Sequence, residues 1–343
     1  MLYGPGDVRI EPVPSPPAPA SDELLIKVTK AALCGTDSAE WDHGPLLARP
    51  PVVLGHEFTG SVVASSVGEF PVGARVVSGA GISCGSCEWC VAGRTNLCAS
   101  YQTLGLHRDG GLAELVLSPA SICRLIPDGL DDIGAAMAQP LAVALHAARR
   151  GRVAAGRSCA VIGVGGIGAF IVAAAAALGA APLIAIDMAD DRLATAAALG
   201  ATHTVNVSRA DVASAVFDAT GGDGAHVVIE ASGAPASPAA ALTMVRRGGD
   251  IVIVGLQPSP SAIDLFSVAA REVDLHGTLA HVCREDLGEA VSILAGTSLA
   301  GTVLGDVIPL GDLVERGLRP LAERKAHGKI VVDVAGVPEI CVH

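Results

Sequence analysis

From Ser158 to Ile186 the chain reads SCAVIGVGGIGAFIVAAAAALGAAPLIAI, without one charged residue. The run exceeds the roughly 20 residues that cross a bilayer, and its small residues include GxxxG spacing of the kind found between packed membrane helices. Yet glycines cluster at 163, 165, 166 and 168, alanine dominates the middle, and Pro182 stands near the end. Such interruptions fit a buried strand, a tight turn, a buried helix and a second strand better than one continuous span. The expectation is therefore a β–turn–α–β unit, with no membrane partner.

The turn itself, VIGVGGIG, places Gly163, Gly165, Gly166, Ile167 and Gly168 between a predicted strand and a predicted helix. The first glycine permits a tight turn, the next lets backbone approach a pyrophosphate, and the last allows close helix–strand packing. The helix N-terminus offers unpaired N–H groups to the phosphate. Asp187 closes the second strand, where a carboxylate can accept both ribose hydroxyls. It would repel a 2′-phosphate, so NAD is expected over NADP. Arg192 works in the opposite sense, since a nearby guanidinium could accommodate a phosphate.

Further strands are expected at HTVNV, HVVIEAS, DIVIVGL and near EVDLHG, separated by alanine-rich helices such as DDRLATAAALG and SPAAALTMVRRGG. That alternation predicts a parallel sheet covered on both faces. The first third differs. Short extended pieces such as LLIKVTKAAL, FTGSVVASSVG and ARVVSG, broken by Gly and Pro, predict a β-rich domain, and DDIGAAMAQPLAVALHAARR has helical spacing. A chain of 343 residues is long enough for two such domains. Its net charge of −12 argues against a nucleic-acid surface. The N-terminal stretch has no basic segment followed by an apolar one, so a cytoplasmic location is expected.

Four of the nine cysteines lie in ISCGSCEWCVAGRTNLC. Cys84, Cys87, Cys90 and Cys98 can close a tetrahedron around zinc with no open position, which makes the loop structural. Two disulfides and an iron–sulfur cluster are the alternatives, the first disfavoured in a reducing compartment. Chemistry needs an open metal, and Cys34, His56 and Glu57 supply sulfur, nitrogen and oxygen. Taken singly, each also suits an ordinary structural place.

CGTD, GHE, the four-cysteine loop and GxGGxG, in this order and with these gaps, resemble the zinc-dependent medium-chain dehydrogenase/reductase family over nearly the whole chain. CGTDSAEWDHGP, LGHEFTG and QPLAVALHAARR look most like its polyol branch, which includes 2,3-butanediol and sorbitol dehydrogenases. The resemblance implies an α/β protein: a GroES-like catalytic domain over residues 1–139 and 281–343, with a structural-zinc lobe at 82–98, and a doubly wound Rossmann domain over 140–280. It implies two zinc ions per chain and NAD. Cys34 and His56 would bind the catalytic zinc, with Glu57 as third ligand or exchangeable neighbour. Thr36 would take the first step of proton transfer, and Asp37 would orient His56.

Gln139 stands where many polyol members carry glutamate, and its neutral amide can coordinate zinc or bind water but cannot act as a base. Ala39 replaces a histidine that relays the proton outward in many relatives; His43 is either its substitute or, as the plainer reading, a solvated loop histidine. The implied reaction passes hydride between NAD(H) and a secondary alcohol, vicinal diol or polyol and its ketone. A threonine or sugar dehydrogenase of the same family is the near alternative, and a non-catalytic zinc-stabilised nucleotide-binding protein the distant one. The resemblance further implies a homo-oligomer, a tetramer or dimer.

Overall fold

The computed structural model describes residues 1–257 and 259–335. These form two compact units, one of residues 1–142 with the segment from Val282 onward, the other of residues 143–281. Residues 336–343, the end of the expected catalytic-domain span, lie outside the described residues. The sheet strands are β1 (Glu23–Ala32), β2 (Glu57–Ser65), β3 (Arg75–Ser78), β4 (Leu115–Pro119), β5 (Cys123–Leu125), β6 (Cys159–Ile162), β7 (Leu183–Asp187), β8 (His203–Asn206), β9 (Ala225–Glu230), β10 (Val245–Ile253), β11 (Asp274–Gly277), β12 (Leu304–Pro309) and β13 (Lys329–Asp333).

The first unit is built on a mixed sheet in the order β12-β13-β1-β2-β3-β5, with β4 also paired to β1. Along β1 the residues Leu24, Ile26 and Val28 are buried at period two, as a strand with one face on a core requires. They join Phe58, Val62, Val76 and Ile330 in one cluster. β13 lies antiparallel to β1, with Val331 opposite Ala32.

The second unit holds a six-stranded sheet ordered β8-β7-β6-β9-β10-β11, every pair parallel. That is the doubly wound order with its switch point at β6. The uncharged run resolves as expected into β6, a helix over Gly166–Ala177, and β7. Residues Gly168–Ala175 of that helix are all buried, because a helix apolar on every side must be covered. Among the described residues no helix is long and apolar enough to cross a membrane.

Two helices differ from the sequence reading. The segment from Asp132 breaks into Asp132–Ala135 and Ala138–Arg150, and Pro140 falls in the first turn of the second, where its missing N–H costs nothing. The helix expected through SPAAALTMVRRGG stops at Met244, and Val245 opens β10. Arg246–Gly249 then leave the ladder, since Ala225 pairs with Val245 but Val227 with Asp250.

Asp250, fully buried, accepts from Arg152 Nε at 3.1 Å and Arg157 at 3.0 Å, and pairs with His276 Nε2 at 2.8 Å. Burial opposes its ionisation, yet Arg152 and His276 outweigh that and hold its pKa below the usual carboxylate value. Stability from a depressed carboxylate is full above the unfolded pKa and is lost as pH falls through the folded one. Asp250→Asn should lower the unfolding free energy of this unit by about 3 kcal/mol. It should also flatten the acid limb of the stability curve, as urea denaturation across pH would show.

Candidate active site and metal centres

Cys34 precedes the helix Gly35–Asp42, and its backbone N–H donates to Asp37 Oδ2 at 2.9 Å. Asp37 thus closes the first turn and is itself fully buried. Its other oxygen accepts from Gly55 N at 3.3 Å and lies 3.5 Å from His56 Nδ1. One carboxylate therefore ties the helix start to the loop that carries His56. Glu57 follows directly as the first residue of β2 and is 1% exposed.

The ligand-type atoms of Cys34, His56 and Glu57 all lie within 4.8 Å of one another. One sulfur, one nitrogen and one oxygen at that spacing fit a single borderline-soft cation with room for a further ligand. Burial works against a charged His56, but Asp37 and then Cys34 outweigh it and hold its pKa well above the ordinary value. Thr36 Oγ1 lies 3.7 Å from Cys34 Sγ. Gln139 is buried in the first turn of Ala138–Arg150 and makes no hydrogen bond to the trio among the described residues. His43 is 73% exposed and sits beside Asp42.

Sequence reasoning missed Lys329, whose Nζ pairs with Glu57 Oε2. A lone lysine at a strand start carries no signature. Only the burial of Glu57 calls for it, since a buried carboxylate needs a counter-charge.

The four-cysteine loop is closed at its base by the short strands Gly81–Ile82 and Gln102–Thr103. Cys84 Sγ stands 3.9 Å from Cys90 Sγ, and Cys87 Sγ 3.5 Å from it. Four thiolates about 2.3 Å from one ion stand roughly 3.8 Å apart. The sulfurs stand apart and are not bonded to one another, an arrangement that fits one ion better than a disulfide or a cluster that interposes several irons. Backbone donors reach the sulfurs as well, Cys84 N to Cys98 Sγ at 3.2 Å and Ser100 N at 3.3 Å. Hydrogen bonds from the Ser86 and Cys87 backbone draw the Cys84 thiol down to about 6.

Cys98→Ala should release that ion and cost about 2–3 kcal/mol, a fall of roughly 5–10 °C in melting temperature. Metal content and a thermal melt on one sample check it.

In the second unit the glycine turn has the geometry its residues demand. Gly163 takes φ +82°, and a Cβ on Gly168 would stand 1.8 Å from the Gly163 carbonyl oxygen. A Cβ on Gly166 would meet nothing within 4 Å, so that side of the turn is open to a ligand. Ile167 is half-buried between them. Asp187 Oδ2 accepts from Val164 N at 2.9 Å, and Oδ1 from Met188 N and Ala189 N at 2.8 and 3.0 Å. The carboxylate is thereby fixed at the end of β7 beside the turn. Arg192 reaches to 3.9 Å from Asp187 Oδ1 and borders Gly165.

A doubly wound nucleotide-type unit, a GroES-like unit and two cysteine-containing clusters of metal-ligating side chains define a class of zinc-dependent oxidoreductases. Residues 20–128 match the alcohol dehydrogenase GroES-like domain and residues 166–296 the zinc-binding dehydrogenase family. The chain belongs to the zinc-dependent medium-chain alcohol dehydrogenase family. It is 37% identical over 285 residues to sorbitol dehydrogenase of Bacillus subtilis, covering 81% of this chain and 80% of that one. The crystal structure of 2R,3R-butanediol dehydrogenase from Bacillus subtilis superposes with a TM-score of 0.88 at 28% identity, over 97% of this chain and 98% of that one. A Sinorhizobium meliloti protein described as a candidate zinc-binding dehydrogenase, solved bound to NADP, gives 0.84 at 33% identity, over 92% and 93%.

Proposed function

We propose that the chain oxidises secondary alcohols, vicinal diols or polyols to ketones with NAD, and runs the reverse reduction. The observation that carries this is the Cys34–His56–Glu57 donor set, in a chain that also holds the glycine turn and its fixed Asp187 carboxylate. The sorbitol and butanediol dehydrogenases among its relatives support the substrate class.

Zinc held by Cys34, His56 and Glu57 would supply a Lewis acid, and NAD at the glycine turn would supply the hydride acceptor. The chain's own side chains do the rest. Asp37 orients the His56 ring, as metal-binding histidines need, and Lys329 holds one oxygen of Glu57. Thr36 places a hydroxyl beside Cys34 where an alcohol proton can be received. Gln139 adds no negative charge at its position, and with alanine at 39 the proton leaves Thr36 for solvent without a histidine at that place. Cys84, Cys87, Cys90 and Cys98 hold a second, structural zinc. Asp187 favours NAD by like-charge repulsion of a 2′-phosphate, with Arg192 limiting that preference.

The proposal includes a homo-oligomer in the cytoplasm, which light scattering tests in its first part. The main test is NADH formation across 2,3-butanediol, sorbitol, glucose and L-threonine, with zinc measured on the same sample. Turnover with the diol or sorbitol is expected. Two bound zinc ions with no turnover of any alcohol would overturn it.

A further inference from the structure

On the second unit, a concavity of about 560 Å³ is lined by Arg246, Arg247, Arg271, Thr243, Phe217 and Asp223. Its position is fixed by topology. Asp223 lies just before β9, Arg246 at the start of β10, and Arg271 just before β11. In a parallel sheet these amino ends share one edge. Gly163 and Asp187 lie at the carboxyl ends of β6 and β7, so the concavity is on the opposite edge, about one strand length away.

The chain as a whole is acidic, yet three guanidinium groups gather here. Among the described residues none of the three forms an ion pair. Each is held instead by a neutral acceptor. Arg271 donates to Leu242 O at 2.7 Å and to Val245 O. Arg246 meets His226 Nε2 at 2.7 Å, and Arg247 reaches Ala270 O at 3.3 Å. The bulge that carries Arg246 and Arg247 out of β10 is pinned by Gly248 N donating to Arg271 O at 2.9 Å. Bulges commonly re-aim side chains in this way.

Relief of carbonyls near the end of the helix Ser237–Met244 accounts for Arg271, but not for its two neighbours. An arginine has five N–H donors in a fork suited to phosphate oxygens, and one or two are used here. The single lining carboxylate, Asp223, leaves the surface with a net positive charge.

We propose that this concavity is a binding site for a phosphate-bearing anion, inorganic pyrophosphate or an organic polyphosphate, separate from the dinucleotide turn. The half-buried Phe217 ring on its wall offers an apolar face to the organic part of such a ligand.

The test is calorimetric titration of the NAD-saturated full-length protein at low ionic strength, with pyrophosphate, ATP and adenosine as probes. One site per chain is expected for pyrophosphate and ATP, weakening with added salt. Arg247→Glu, at an exposed position, should weaken binding about tenfold or more, and Asp223→Asn should tighten it about threefold. Comparing ATP with pyrophosphate tells an organic from an inorganic source. The proposal is overturned if neither anion binds, if saturating NAD abolishes binding, if adenosine binds as well as ATP, or if Arg247→Glu binds like the parent while melting at the same temperature.

Discussion

Cys34→Ser should leave a folded chain that keeps one zinc ion in place of two and loses about a thousandfold or more in kcat/KM with a secondary diol, ~4 kcal/mol. Folding is preserved because the backbone N–H of Cys34 donates to Asp37 and closes the helix start whichever side chain stands there. Serine is in any case a favoured residue at that position. The loss falls on metal binding, since a neutral hydroxyl replaces the one thiolate donor among Cys34, His56 and Glu57. Metal emission analysis and steady-state kinetics on the same preparation decide it. A variant with two zinc ions and full turnover would remove these three residues from the reaction.

Gly168→Ala should cost about 3 kcal/mol, lower the melting temperature by roughly 6–12 °C, and abolish measurable NAD binding. The added Cβ would stand 1.8 Å from Gly163 O and 2.8 Å from Gly163 C. Both are backbone atoms, so no rotamer change relieves the clash. The helix must back away from the turn, and the N–H groups that would face a pyrophosphate move with it. Both zinc ions should remain, because all their proposed ligands belong to the other unit. Gly166→Ala is the control that separates packing from binding. Its Cβ meets no heavy atom within 4 Å, so it should melt normally while weakening NADH in a fluorescence titration. Equal melting temperatures and affinities for Gly168→Ala and the parent would refute the close-packing role.

Much of the second unit is legible in the sequence, for a physical reason. Buried parallel strands are short apolar runs between glycine turns, and CAVIG, PLIAID and DIVIVGL stand out in such a pattern. The boundary at Met244 was less visible, because alanine-rich composition favours helix without saying where a bulge takes over. The cysteine loop announced itself by spacing, since four thiols within fifteen residues have few uses. Cys34, His56 and Glu57 did not. Twenty-one residues separate Cys34 from His56, and only the family resemblance joined them. Lys329 was invisible on both counts. A long-range counter-charge leaves no local mark, and neither does the Arg152–Asp250–His276 cluster.

The Lys329–Glu57 pair also bears on the order in which this molecule can be finished. β13 lies against β1, with Leu33 N donating to Ile330 O at 2.9 Å, yet it is synthesised after all of residues 143–281. A nascent chain can complete its nucleotide-type sheet while Glu57 still lacks its lysine. Until then Glu57 has no lysine beside it, whereas Asp37 already faces His56 at 3.5 Å. Charge balance at Glu57 is thus completed only by the last described strand of the fold to leave the ribosome.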